Sequence, residues 1–111
     1  MSVVRVVASV REGGRKDDKY KIVLLCQIDE ANRIVPGEWM GYVKNESYFH
    51  PFIFQRSAVF YYGGEEHWAE PTNIGQRDIS IGSYFTLSND PKDTDTFEAT
   101  YEITSVHPIS G

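Results

Sequence analysis

Cysteine is nearly missing from this chain. Cys26 is the only one in 111 residues, which excludes an intramolecular disulfide framework and favours a reducing compartment. Long apolar runs are also missing. The most apolar opening stretch, residues 3–10, is interrupted by Arg5 and followed by Arg11-Glu12-Gly13-Gly14, well short of the roughly 18–20 residues that cross a bilayer. It has no charged leader or small-residue cleavage site, so it reads as a strand and not a signal peptide. The expectation is a soluble, cytoplasmic protein with no membrane partner.

Signature motifs are lacking too. The chain has no phosphate loop, no dinucleotide fingerprint, no paired CxxC, no HExxH and no GxSxG, which argues against nucleotide cofactors and the commoner hydrolase and zinc chemistries. No cofactor and no metal are expected. Positive charge is scarce where it would matter for nucleic acid: residues 1–55 carry eight Lys/Arg against seven Asp/Glu, but residues 56–111 carry three against nine. With an overall net charge of −5, such a chain repels phosphate backbones. The one basic cluster, Arg11, Arg15, Lys16, Lys19 and Lys21, is diluted by Glu12, Asp17 and Asp18 and reads as a solvated loop.

Aromatic residues are what the chain has in quantity: seven Tyr, six Phe and two Trp. With Val, Ile and Thr they favour pleated, half-buried surfaces. Val4, Val6, Ala8 and Val10 alternate at period two, as do Tyr20, Ile22, Leu24, Cys26 and Ile28, which predicts two strands. Residues 11–19 are expected to form the loop between them, and residues 29–33 a turn into a return strand at Ile34–Val35. Pro36–Gly37 breaks the chain before a short extended stretch holding Trp39 and Tyr42. Residues 45–49 could make one helical turn stopped by Pro51. Residues 52–62 read as two strand pieces bent at Arg56–Ser57, and 65–78 as a long connection with a short strand around His67–Trp68. A terminal hairpin should pair residues 84–88 with 96–106. The three-residue step from Ile103 to Val106 predicts a bulge near Thr104–Ser105. The whole is read as a single all-β domain over residues 1–111, a small antiparallel barrel or sandwich of six to eight short strands.

Candidate chemistry is sparse. Glu65-Glu66-His67-Trp68 puts carboxylates beside an imidazole and an indole, a combination suited to acid–base work if buried and to a polar turn if not. Asp90, Asp93, Asp95 and Glu98 are hard oxygen ligands, but their spacing departs from the calcium loop and lacks its glycine. Cys26 could pair with His50 or His107 as nucleophile and base, yet it sits on the apolar face of a core strand, where a thiol behaves as a small hydrophobe. The aromatic surplus is the stronger sign. Phe60, Tyr61 and Tyr62 are consecutive, so at least one ring must lie on the second face of its sheet, where Tyr and Trp favour binding. The expectation is a non-catalytic binding or protein-interaction domain using Trp39, Tyr42, Tyr61, Tyr62, Glu66, His67 and Trp68, with a protein partner or a second copy. The alternative is a small enzyme or small-ligand binder with a cleft near Glu66, His67 and Trp68.

Overall fold

A computed structural model describes residues 2–12, 15–93 and 97–110, with the side chains of 12, 15–18 and 110 left aside. Eight strands form one antiparallel sheet: β1 (Ser2–Glu12), β2 (Arg15–Ile28), β3 (Trp39–Lys44), β4 (Phe49–Gln55), β5 (Val59–Gly63), β6 (Trp68–Pro71), β7 (Tyr84–Ser88) and β8 (Glu98–Ser110). Their order is β6-β5-β4-β3-β2-β1-β8-β7. The two edges, β6 and β7, curl toward each other and meet at a bridge between Thr72 and Leu87. The sheet is therefore a nearly closed barrel, not a sandwich. The Thr72 hydroxyl donates to Thr86 O, the Thr86 N–H donates to Asn73 Oδ1, and the Ala69 N–H donates to Asp90 Oδ2. Side chains thus do at this seam what backbone ladders do elsewhere.

The period-two faces anticipated for β1 and β2 point into the barrel. Val4, Val6, Ala8, Val10, Ile22, Leu24, Cys26 and Ile28 are all buried. Phe54, Phe60 and Phe85 are the largest fully buried side chains, each worth roughly 1.5–3 kcal/mol of apolar burial. The expected bulge is present: Val7 pairs with Ser105 and Ala8 with Ile103, leaving Thr104 as the extra residue. It lets both Ile103 and Val106 reach the interior side. The terminal hairpin pairs Tyr84–Ser88 with Glu98–Glu102.

Several local expectations are corrected. Most of residues 11–19 is strand, since β1 runs to Glu12 and β2 starts at Arg15; Gly13–Gly14 lie outside the described residues. Residues 45–49 are not helical. Asn45 Oδ1 accepts the N–H groups of Ser47 and Tyr48, and the Asn45 N–H donates to Tyr48 O, so the asparagine shapes a hairpin turn. Pro51 is then inside β4. Counting outward from the bonded pair 45–48 makes Tyr42–Pro51 a non-hydrogen-bonded pair, and β5 pairs only with residues 53–55 of β4, so the missing N–H breaks no ladder. Ile34 forms a single bridge to Ile28 in place of a return strand, because Pro36–Gly37 follow. Arg56 and Ser57, both with positive φ (58° and 54°), form the turn of a β4–β5 hairpin. The stretch 65–78 holds β6 and a 3-10 turn, Ile74–Gln76, whose Gly75 lies so close to Ser57 O that an added Cβ would stand 2.5 Å from it. No helix of the described residues is long and apolar enough to cross a membrane.

Candidate functional site

Inward-facing positions of β4 and β5 carry a column of aromatic rings along the barrel. Phe54 meets Phe60 edge-on at 5.8 Å between ring centres, Phe60 stacks on Phe52 at 3.9 Å, and Phe52 meets Tyr62 edge-on at 6.0 Å. Tyr62 then meets His50 at 6.4 Å, and His50 meets Tyr48 at 4.5 Å. The column starts as pure hydrocarbon and ends in hydroxyls and an imidazole. That change marks the end of the barrel that the core does not fill.

The unfilled end is a cavity of about 370 Å³ lined by Val43, Tyr48, His50, Tyr62, Trp68 and Glu70. It adjoins a larger hollow of about 540 Å³, with Val43, Tyr48 and Glu70 common to both and Arg11, Tyr20, Glu98 and Tyr101 among its other lining residues. Together they match the size of small-molecule sites, which are concave, mostly apolar and fitted with a few polar groups.

Glu70 is the polar centre. It follows Trp68 by two residues in β6 and pairs with Phe60, so both Glu70 and Trp68 face inward. The Tyr62 hydroxyl donates to Glu70 Oε1 at 2.6 Å. Burial raises the Glu70 carboxyl above its ordinary range, the Tyr62 hydrogen bond opposes this, the Asp90 charge adds to it and His50 offsets it. Burial, with the Glu70 charge next, pushes the Tyr62 and Tyr101 phenols well up; the Tyr48 phenol is raised by burial, then by Tyr20 and Glu70. Among the described residues none forms an ion pair with Glu70. Nearby cations are engaged elsewhere. Arg11 lies 3.1 Å from Glu102 Oε1, an ionic contact without hydrogen-bond alignment. Lys92 sits 3.5 Å from Asp90 and donates to the carbonyls of Glu66 and His67. Asp90, the first of the four acids considered as oxygen ligands, is buried. Its carboxylate accepts the N–H groups of Ala69 and Lys92, which hold it below its usual range. It is a strut across the seam. Asp95 lies outside the described residues, and no group of three or more metal-ligating side chains occurs among those described.

The seven side chains singled out from the sequence are divided by the barrel wall. Tyr62 and Trp68 line the cavity. Trp39 packs against the core and donates its indole N–H to Val35 O. Tyr42 and Tyr61 face outward. Tyr42 stacks on Phe49 at 4.4 Å, and the Tyr61 hydroxyl is 2.7 Å from His67 Nδ1. Glu66 and His67 do not join Trp68 in the cleft. Both are exposed, because the turn at Gly63–Gly64 and a positive φ at His67 (52°) swing them out before β6 begins. The carboxyl and imidazole that share the cavity with the indole are Glu70 and His50. From the sequence His50 enters only as a possible partner of Cys26 and Glu70 not at all, yet a period-two signal is present. His50 precedes Phe52 and Phe54 at steps of two, and Glu70 follows Trp68 at the same step.

Outside the wall, Leu25, Met40 and Ile53 are exposed around shallow grooves of about 270 and 300 Å³, and exposed Phe49 stacks on Tyr42. Cys26 is wholly buried, and burial pushes its thiol up to about 12, which removes the thiolate that nucleophilic chemistry needs.

Fold and site together define a small, nearly closed antiparallel barrel with an aromatic, carboxyl-bearing chamber at one end. Comparison with protein families, curated proteins and solved structures found no match.

Proposed function

We propose that this protein is a non-catalytic binding barrel that holds a small organic molecule in the chamber around Trp68, Tyr62 and Glu70. The observation that carries this reading is the Glu70 carboxyl. It is directed into an aromatic cavity, hydrogen-bonded by one phenol and in no ion pair among the described residues. Burying such a group disfavours its charged form, and sites that bind accept costs of this kind. The single, buried Cys26 supports placing the protein in the reducing cytoplasm. Screening a fragment collection by amide chemical shifts tests the proposal. Shifts should cluster on β4, β5, β6 and the 45–48 turn, and disappear in Trp68→Ala. A collection that shifts none of these amides sinks it.

A second reading rests on the outer face. Met40 and Phe49 are 65% and 59% exposed, and with Tyr42 they form an apolar surface of the kind that meets another protein or a second copy. Sedimentation of wild type against Met40→Lys with Phe49→Glu checks it. The wild type should self-associate and the double variant remain monomeric with unchanged melting. A monomeric wild type removes the second-copy form of this reading.

A further inference from the structure

Resting on the binding reading above, we infer that the chamber's guest is a small organic ammonium, seated among the rings of Trp68, Tyr48 and Tyr62 with its charge toward the Glu70 carboxylate. Three features converge on that chemistry. First, the lining is aromatic on several sides: β4 and the turn before it supply Tyr48 and His50, β5 supplies Tyr62 and β6 supplies Trp68. Rings present a negative face to a cation, and several rings around one cation recognise alkylated ammonium groups. Second, the chamber holds one carboxyl that forms no ion pair among the described residues, although the His50 charge lies near enough to act on it, and the Tyr62 hydroxyl occupies only one of its oxygens. The other oxygen is left for a guest. A carboxylate that has lost water gains most from a positive charge placed beside it.

Third, the fold already puts an ammonium on one of these rings. Lys92 Nζ lies 5.9 Å from the Trp68 ring centre. That lysine is fixed by Asp90 and by the carbonyls of Glu66 and His67, so its donors are directed at the loop and not at Glu70. Its position shows that the indole tolerates a cation while the chamber side of the site keeps its own unanswered charge. Size agrees as well. A cavity of about 370 Å³ admits a trimethylammonium head with a short tail extending into the adjoining hollow, and it is at the small end for drug-sized guests.

A neutral guest would leave the Glu70 carboxylate without an ion-pair partner, and an anionic one would face Glu70 and Glu98 together. The matched pair of choline and its uncharged isostere 3,3-dimethylbutan-1-ol therefore tests the class directly, by amide chemical-shift titration at pH 8 on the intact chain. Benzyltrimethylammonium serves as a larger probe and benzoate as the anionic control. Choline and benzyltrimethylammonium should bind at least about tenfold more tightly than the isostere, and benzoate should not bind. Glu70→Gln should erase that tenfold preference while keeping the isostere's affinity, with near-ultraviolet circular dichroism confirming an unchanged fold. Equal affinity for charged and neutral probes, both shifting the chamber amides, overturns the ammonium assignment and leaves the binding site standing. Absence of chamber shifts with every probe overturns the ammonium assignment, and the fragment screen above decides the binding site separately.

Discussion

Replacing Tyr62 by Phe removes one oxygen and keeps the ring, so its edge contacts with Phe52 and His50 survive. What is lost is the 2.6 Å hydrogen bond to Glu70. A hydrogen bond to a neutral carboxyl contributes about 1 kcal/mol and one to a carboxylate about 1.5–3 kcal/mol. Glu70 keeps some access to solvent at the chamber, so the lower half of that range, about 2 kcal/mol, applies to the charged form. The penalty must therefore depend on pH. Burial raises the folded-state carboxyl above its unfolded value of 4.5. Its contribution to stability is complete below about that pH and declines as pH rises through the folded value. Asp90 and His50 act on it in opposite directions, and the Tyr62 phenol stays protonated throughout because burial raises it. Urea unfolding from pH 4 to pH 8 should show Tyr62→Phe costing about 1 kcal/mol at the acid end and about 2 kcal/mol at the alkaline end. In a Glu70→Gln background the cost should be flat. Glu70→Gln itself should be more stable than wild type at pH 8, with the difference vanishing toward pH 4. A penalty that is constant with pH, or larger at pH 4, refutes the charge-assisted bond and with it the account of the chamber's polarity.

Two further outcomes follow from packing. Gly41→Ala should destabilise the protein by about 3 kcal/mol or more, at the upper end of overpacking costs. Its Cβ would stand 2.2 Å from Val23 O and 2.8 Å from the Phe52 ring, so the β2–β3 pairing must shift; a urea midpoint near wild type would contradict the register of those strands. Cys26 should resist a thiol reagent at pH 8 until the protein unfolds, and labelling of the folded protein at the rate of a free thiol would contradict a wholly buried residue whose thiol is raised to about 12.

How much of this was legible beforehand depends on how many contacts each residue answers to. Along residues 4–10 and 22–28 every second side chain is buried against the same core, so alternation alone identifies these stretches as strands and gives their inner faces, Tyr20 being the exception at 38% exposure. The bulge at Thr104 was legible for the same reason, because the interior accepts Ile103 and Val106 only if one residue is skipped. Where local chemistry competes with tertiary pairing, the reading failed. Asn45 and Pro51 resemble a helical turn and its stop, but the asparagine side chain closes a hairpin and the proline meets an unpaired edge. The site was half legible. Trp68 and Tyr62 stand out as aromatic, whereas adjacency in sequence points to Glu66 and His67, and only the two-residue step along the strands points to Glu70 and His50. A turn with positive φ at His67 separates neighbours that the strand would have kept together.

The seam between β6 and β7 has a kinetic consequence. Elsewhere neighbouring strands are joined by backbone ladders of several residue pairs, but here one bridge and a few side-chain hydrogen bonds join the strand that carries Glu70 to the strand that carries Leu87. Local opening should be cheapest along that line. Deuterium should then enter at Ala69 and Thr86, whose amides are held only by side chains at the seam, before it reaches the amides linking β1 to β8. A guest that bridges the chamber would slow this exchange, so residence of the guest and breathing of the wall become one measurable rate.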